Sequence, residues 1–437
     1  MPSRVVTKFY LLQATRSVGF ISPIFTLFLL RSLNFTQIGV LSALSAALVV
    51  AGEVPTGYVG DWLGRRASIA ISIGLKAISL AGFVVAQSFW AYAVLYVPWA
   101  IGMTFASGSV DAWLYDTLDE RLDTDAFTRV RGRGAAVMQW TSVATAIGGG
   151  LLYAFRPTWP FIASFGLNVL GLGVLFSLPA NRAYRETGEH DRVGPAARDT
   201  FAVLKRAVAT PKLRSFVLYV ALFFGVVSAS TTYVQPVAEA LFASAGSGGA
   251  SAALSRVGGA AGPLAAVFPE GVSVGVGLGL LYAGFTGVSA VASQYAGPLE
   301  DRFGVRPLLV AVPVVTAVLL VLPRLVLVLA LPLFVAQRAA RSLLLPMVNN
   351  QVSGAVDDSG RATVLSSVSL LVRLWKLPLA VGAGVLADTA GTDAAGSVSA
   401  VGETTALAAL GGLFLLVTLG VVLAGRSVRG LAPSGVQ

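Results

Sequence analysis

The chain has no cysteine and a single histidine in 437 residues, and only 12% of it is charged. The missing thiols exclude disulfides, thiolate metal sites and cysteine nucleophiles. His190 sits in a polar stretch and reads as a solvated loop residue. The loops hold no clustered nucleophile, base or metal set, so no enzyme chemistry, metal or cofactor is expected. What the chain has in quantity is apolar: 55% hydrophobic residues and a mean hydropathy of +0.78. That is the composition of a helical membrane protein. The net charge of +10 comes from basic residues in short loops between apolar runs. The positive-inside rule explains them, and no nucleic-acid partner is expected.

A bilayer core of roughly 30 Å needs about 20 apolar helical residues. Twelve such runs are predicted, at 6–30, 37–60, 67–87, 90–118, 133–155, 158–178, 213–241, 272–297, 306–323, 325–350, 361–387 and 403–425. The first contains Gln13 and Arg16 and is too long and too polar for a signal-peptide core, so it is read as a retained helix. An even number of spans puts both termini on one side. With both inside, 21 of the 31 basic residues fall on the inner side, 4 outside and 6 within helices, which predicts cytoplasmic termini. The expected organisation is an N-terminal six-helix half (1–178), a cytoplasmic linker (179–212) and a C-terminal six-helix half (213–437). Within the linker, Phe201, Leu204 and Val208 share a face over 196–209, as an amphipathic helix on the inner leaflet or a soluble helical linker would. Residues 243–271, rich in Gly, Ala and Ser, read as a mobile outer loop.

Between the second and third runs lies a tight polar hinge, Gly52 to Arg66, carrying Gly57, Asp61, Gly64, Arg65 and Arg66. Gly297, Asp301, Gly304 and Arg306 repeat the offsets of Gly57, Asp61, Gly64 and Arg66, 240 residues later, with Arg302 following Asp301. Two related halves are the simplest reading. These stretches resemble the loop motif of the major facilitator superfamily, Gly-x-x-x-Asp-Arg-x-Gly-Arg-Arg, found between the second and third helices of each half. Trp62 replaces Arg in the first copy, and Val305 replaces the first Arg of the closing pair in the second. The stretches from Ser107 to Asp116 and from Arg361 to Ser367 are similar to segments of prokaryotic carriers grouped with drug-efflux members.

The resemblance implies an all-α membrane fold of two pseudo-symmetric six-helix bundles that alternate access to a central site. It also implies a cytoplasmic latching role for Asp61, with Asp301 as its counterpart. The fifth helix keeps Gly148, Gly149 and Gly150 but lacks the proline of the antiporter pattern.

Charges inside spans are costly, about 2.5 to 3.5 kcal/mol each on insertion scales, and normally face a cavity or a partner. Counting 1.5 Å per residue, Glu53 and Asp111 lie roughly 10 Å deep and Arg16 and Lys76 roughly 15 Å. Glu53 and Asp111 are candidates for proton coupling; permanent salt bridges are the alternative. Arg338 and Arg341, and Arg373 and Lys376, form i, i+3 pairs that share a helix face. With Arg16 and Lys76 they make six basic residues against the two carboxylates, which predicts free positive charge in the cavity. The aromatics Trp90, Tyr92, Tyr96, Trp99 and Trp159 read as an interfacial belt. Tyr219, Tyr233 and Gln235 are candidate pore residues.

The function expected is secondary active transport of a small organic solute across the cytoplasmic membrane by alternating access, as proton-coupled efflux. An importer of an organic anion is one alternative, and a non-transporting membrane receptor on the same fold is another. Partners are a small-molecule substrate, protons and the lipid bilayer, and the protein is expected to be a monomer.

Overall fold

The computed structural model describes residues 4–121, 126–180, 211–246, 270–354, 361–392 and 400–423. Most of the linker, with its amphipathic stretch and His190, and most of the 243–271 loop lie outside the described residues, as do the side chains of Asp61 and of 361–367.

Fifteen α helices and three short 3-10 turns make up the described residues. In chain order they are α1 (Arg4–Thr15), α2 (Phe25–Leu30), α3 (Phe35–Leu63), α4 (Arg65–Val85), α5 (Phe89–Ala106), α6 (Ser109–Arg121), α7 (Phe127–Phe155) and α8 (Trp159–Phe176). There follow α9 (Pro211–Ser230), α10 (Val234–Gly246), α11 (Glu270–Phe303), α12 (Val305–Val321), α13 (Ala330–Gly354), α14 (Arg361–Thr392) and α15 (Val401–Leu423). Eleven helical segments are long and apolar enough to cross a membrane. The remaining expected span, the first, is divided into α1 and α2 by nine non-helical residues, 16–24. Pro23 accounts for this locally, because it lacks an N–H and its ring clashes with the carbonyl four residues earlier. The fourth span also breaks, at Ser107 and Gly108, where Gly108 has φ of +74°. Pro55, Pro98, Pro313, Pro346 and Pro378, in contrast, lie inside continuous helices.

The hinge from Gly52 to Arg66 is much shorter than its composition suggests. Helix α3 runs to Leu63 and α4 starts at Arg65, so Gly64 alone makes the turn. Its φ of 89° and ψ of 158° are matched by φ of 76° and ψ of 157° at Gly304, which alone separates α11 from α12. Only glycine enters that region without strain. The two turns are therefore one local structure repeated 240 residues apart. Gly57 and Gly297 have open space where a Cβ would stand, so close helix approach does not require glycine there.

Among the described residues, those of 1–32, 44–195 and 258–284 form one compact unit, and those of 33–43, 196–257 and 285–437 form another. In the first, α4 packs on α5 and α8, and α1 on α7 and α8. Its core joins Phe9, Leu12, Ile69, Ile73, Trp113, Leu114 and Leu175, with Phe9 and Trp113 stacked 6.2 Å apart. The small residues of α7 and α11 have a clear purpose: a Cβ on Gly150 would meet the Gly275 carbonyl, and one on Gly279 would meet that of Ala146. Backbones touch there without side chains between them. In the second unit α14 packs on α9 and α15, and α12 on α15.

Tyr92 and Tyr96 correct the interfacial reading. They are 1% and 7% exposed, within an aromatic cluster with Phe25, Phe28, Phe83 and Phe161. Trp90, 76% exposed, fits a belt.

Candidate functional site

The break in the first span positions the site. Helix α1 ends at Thr15, and residues 16–24 run as turns and loop before α2 begins. Non-helical backbone at membrane depth persists only where protein covers it or a cavity adjoins it. Both conditions hold. On one side the segment lies against α7: the Ser17 hydroxyl is 3.0 Å from that of Ser142 and 2.9 Å from that of Thr145, and it accepts from the Gly19 N–H at 3.1 Å. Gly19 and Gly149 let the backbones touch, since a Cβ on Gly19 would meet Thr145 and one on Gly149 would meet the Phe20 backbone.

On the other side is a cavity of about 30 Å³ lined by Arg16, Ser17, Ser72, Lys76, Trp99, Ser164 and Asn168, with apolar residues between them. Arg16 donates to Gln13 Oε1 at 2.7 Å and lies in electrostatic reach of Asp111 and Lys76. Asp111 has another partner, accepting from Arg131 Nη2 at 2.9 Å, with both side chains about half exposed. Lys76, in the middle of α4, makes no hydrogen bond or ion pair with a described residue. Ser72 is committed, donating to the Gly102 carbonyl at 2.6 Å, and Asn168 donates to the Ser164 carbonyl at 2.8 Å. The Ser164 hydroxyl, on a residue 2% exposed, has no partner among the described residues.

The second unit holds the other basic residues. Arg338 and Arg341 lie on α13, and Arg373 and Lys376 on α14. Arg341 is in electrostatic reach of Arg338, and Lys376 of Arg373 and Arg341. The Arg338 guanidinium stands over the Phe285 ring, 5.1 Å from its centroid. Arg338, Arg373 and Lys376 are half-buried and Arg341 is exposed.

Three carboxylates here escaped the sequence reading: Glu239, Asp388 and Glu403, with Glu403 in electrostatic reach of the other two. Glu239 and Glu403 sit near the ends of expected spans and Asp388 one residue beyond one, so none stands out in sequence as a charge inside a membrane. Asp388 caps α3. Its carboxylate accepts from the backbone N–H of Phe35 at 2.9 Å, from that of Thr36 at 2.8 Å and from the Thr36 hydroxyl at 2.6 Å. A carboxylate at a helix N-terminus satisfies unpaired N–H groups and meets the positive end of the helix dipole. Close packing supports this contact: a Cβ on Gly384 would meet the Phe35 carbonyl, and one on Gly39 that of Ala380.

Of the motif residues, Arg66 donates to the Phe176 carbonyl at 2.6 Å, and Lys8 to that of Ser177 at 2.9 Å. Two cations thus hold the C-terminal end of α8, the favourable end for positive charge. Asp301 and Arg302 are exposed, and Glu53 and Arg65 are half-buried. Tyr219, Tyr233 and Gln235 are 6%, 2% and 4% exposed; Tyr233 packs on Phe35 with ring centroids 5.4 Å apart.

Among the described residues the architecture is all-α, with eleven helical segments long and apolar enough to cross a membrane, a repeated glycine turn and charged residues on those segments. The model of the Major Facilitator Superfamily matches residues 11–273, and the chain belongs to that family. Membership indicates a transporter rather than an enzyme. The chain is 25% identical over 238 residues to the uncharacterized MFS-type transporter YxaM of Bacillus subtilis, covering 52% of this chain and 57% of the relative. It is 26% identical over 149 residues to YhjO, a second uncharacterized MFS-type transporter of that species, covering 34% and 35%. The matches thus span little more than half, or less, of the curated relatives' lengths.

Among solved structures, the fold is similar to the nucleoside transporter NupG, with a TM-score of 0.69 and 11% identity, covering 96% of this chain and 96% of that one. It is also similar to an inward-facing bacterial homolog of the human lysosomal transporter Spinster, with a TM-score of 0.67 and 17% identity over 98% and 97% of the chains. A D-xylose-proton symporter matches with a TM-score of 0.61 and 13% identity over 98% and 97%. At these identities the likeness is one of fold.

Proposed function

We propose that this chain is a secondary active carrier of small organic anions in the cytoplasmic membrane, working by alternating access, with both termini cytoplasmic. The observation that carries the reading is charge accounting. In the first unit Arg16 and Lys76 line a cavity whose lining, among the described residues, holds no carboxylate, while Asp111 pairs with Arg131. In the second unit Lys376 lies in electrostatic reach of Arg373 and Arg341, and Arg341 of Arg338, on α13 and α14. A carboxylate, phosphate or phenolate on the solute would offset the cost of holding such charge away from water.

Proton coupling is the finer part of this reading. Its candidate carriers are Glu53 on α3 and, in the second unit, Glu239 and Glu403, with Glu403 in electrostatic reach of Glu239 and Asp388. The test is purified protein in liposomes under an imposed pH gradient, with internal pH followed while organic anions and lipophilic cations are added in turn. Proton movement with anions alone supports coupled anion transport. Movement with cations alone would contradict the anion reading and favour proton-coupled efflux of a cationic solute.

A further inference from the structure

The geometry points to a ligand site inside the first unit: the Arg16–Lys76 cavity binds one small anionic group, with Lys76 and the Ser164 hydroxyl as its direct donors and Arg16 as its flanking charge. The site deepens the anion reading and rests on it only where the bound group belongs to the carried solute. A free monovalent anion would bind by the same chemistry.

The argument is one of donors and acceptors. An ammonium offers three donors and no acceptor, and a guanidinium offers five donors and no acceptor. Lys76 spends none on a described residue, Arg16 spends one on Gln13 Oε1, and the buried Ser164 O–H spends none. The other hydroxyls of the lining are already engaged: Ser17 with Ser142 and Thr145, Ser72 with Gly102. What remains is a set of donors whose acceptors in the lining are neutral oxygens, among them that of the Asn168 side chain, with no carboxylate among the described residues. Buried donors are normally matched, so the complement is an acceptor carrying negative charge.

Charges around the cavity agree. Lining it are Arg16 and Lys76, with Asp111 in electrostatic reach of Arg16 and already bonded to Arg131. Arg16 follows the last residue of α1, where the helix dipole favours a cation, so part of its charge is met by the fold. Lys76 sits midway along α4 and has no helix end to meet it. Size sets the ligand: a cavity of about 30 Å³ has room for about two waters or one compact anionic group, such as a halide or the head of a carboxylate.

Thermal unfolding of the purified protein tests this, with chloride or formate replacing gluconate at constant ionic strength. The expected result is a saturable rise in the unfolding midpoint, on the order of 3 °C well above the dissociation constant. Lys76→Met and Ser164→Val should lose the saturable rise, and Lys76→Arg should keep it. No saturable rise in the wild-type protein, or an equal one in Lys76→Met and Ser164→Val, overturns the site.

Should Lys76→Met fail to fold, iodide quenching in the folded wild-type protein decides, because Trp99 lines the cavity. A quenching component lost in Trp99→Phe and competed by formate supports the site; quenching that formate leaves unchanged refutes it. Competition between chloride and a transported organic anion assigns the site to the solute's own anionic group, and binding of chloride without competition assigns it to a free ion. If no organic anion is carried while the Lys76-dependent chloride response persists, the solute class fails and the site stands. Anion transport without that response has the opposite meaning.

Discussion

The two basic regions of the molecule differ in how their charges are held. In the first unit Arg16 leaves an interrupted helix and Lys76 faces the same cavity, beside a hydroxyl with no partner among the described residues. In the second, four cations sit on two continuous helices, one stacked on Phe285 and one exposed. The first region gathers its donors, with both cations half-buried, around one cavity. The second is a positive field spread over two helix faces. Enclosure makes each interaction stronger, because low local dielectric raises its energy and limits screening by salt.

That contrast orders the predictions. Lys76→Met should cut organic-anion transport by about 100-fold, since removing one partner of a desolvated charge pair costs about 2 to 5 kcal/mol; labelled-solute counterflow in liposomes measures it. A loss below about threefold, well under 1 kcal/mol, would place the solute's charge elsewhere. Next are the two glycine turns, where the halves should behave alike. Gly64→Ala and Gly304→Ala should each destabilise the protein by about 1 to 3 kcal/mol, the usual cost of a residue held in a glycine-only region. Thermal unfolding of the purified variants checks this, and a large effect at only one turn would break the equivalence that their matching φ and ψ imply.

Lys376→Gln should have a smaller effect, about threefold to tenfold on apparent affinity, because neighbouring cations maintain the field; one factor of ten is about 1.4 kcal/mol. Its effect should shrink as salt rises, whereas that of Lys76→Met should not. Affinity measured at low and high ionic strength separates the two. The smallest effect is expected at Asp388, where Asp388→Ala removes the cap on α3 and should cost about 1 kcal/mol of stability, read from the unfolding midpoint. Asp388→Asn keeps an acceptor at that position and should recover part of the loss.

Much of the fold is legible in hydropathy and in one repeated motif. Span length follows from bilayer thickness, and the offset between Gly64 and Gly304 announces the repeat. The break in the first span is not legible as a break. The run from 6 to 30 reads as one span despite Gln13 and Arg16, and Pro23 looks no different in sequence from Pro55 or Pro98, which continuous helices accommodate. What separates them is tertiary: Ser142, Thr145 and Gly149 of α7 stand ready to hold unwound backbone.

The candidate site is legible in part. Arg16, Lys76 and Asp111 announce themselves as charges within apolar runs, but their partners do not. Arg131 reads as a loop residue in sequence, and the structure places it on α7 beside Asp111. Ser164 and Asn168 carry no charge and give no sequence signal in an apolar helix. Asp388 is hidden for another reason: its partners, Phe35 and Thr36, lie 353 and 352 residues away, and the groups it caps are mainly backbone N–H, which almost every residue type supplies.

Whether the solute carries negative charge is the question on which the proposed function turns. Counterflow in liposomes loaded with organic carboxylates, organic phosphates or lipophilic cations, run side by side on the wild-type protein and on Lys76→Met, tests it most directly. The account predicts exchange of at least one class of anion by the wild-type protein, none of the cations, and loss of that exchange in the variant. Exchange of cations by both proteins, with no anion carried, would contradict it.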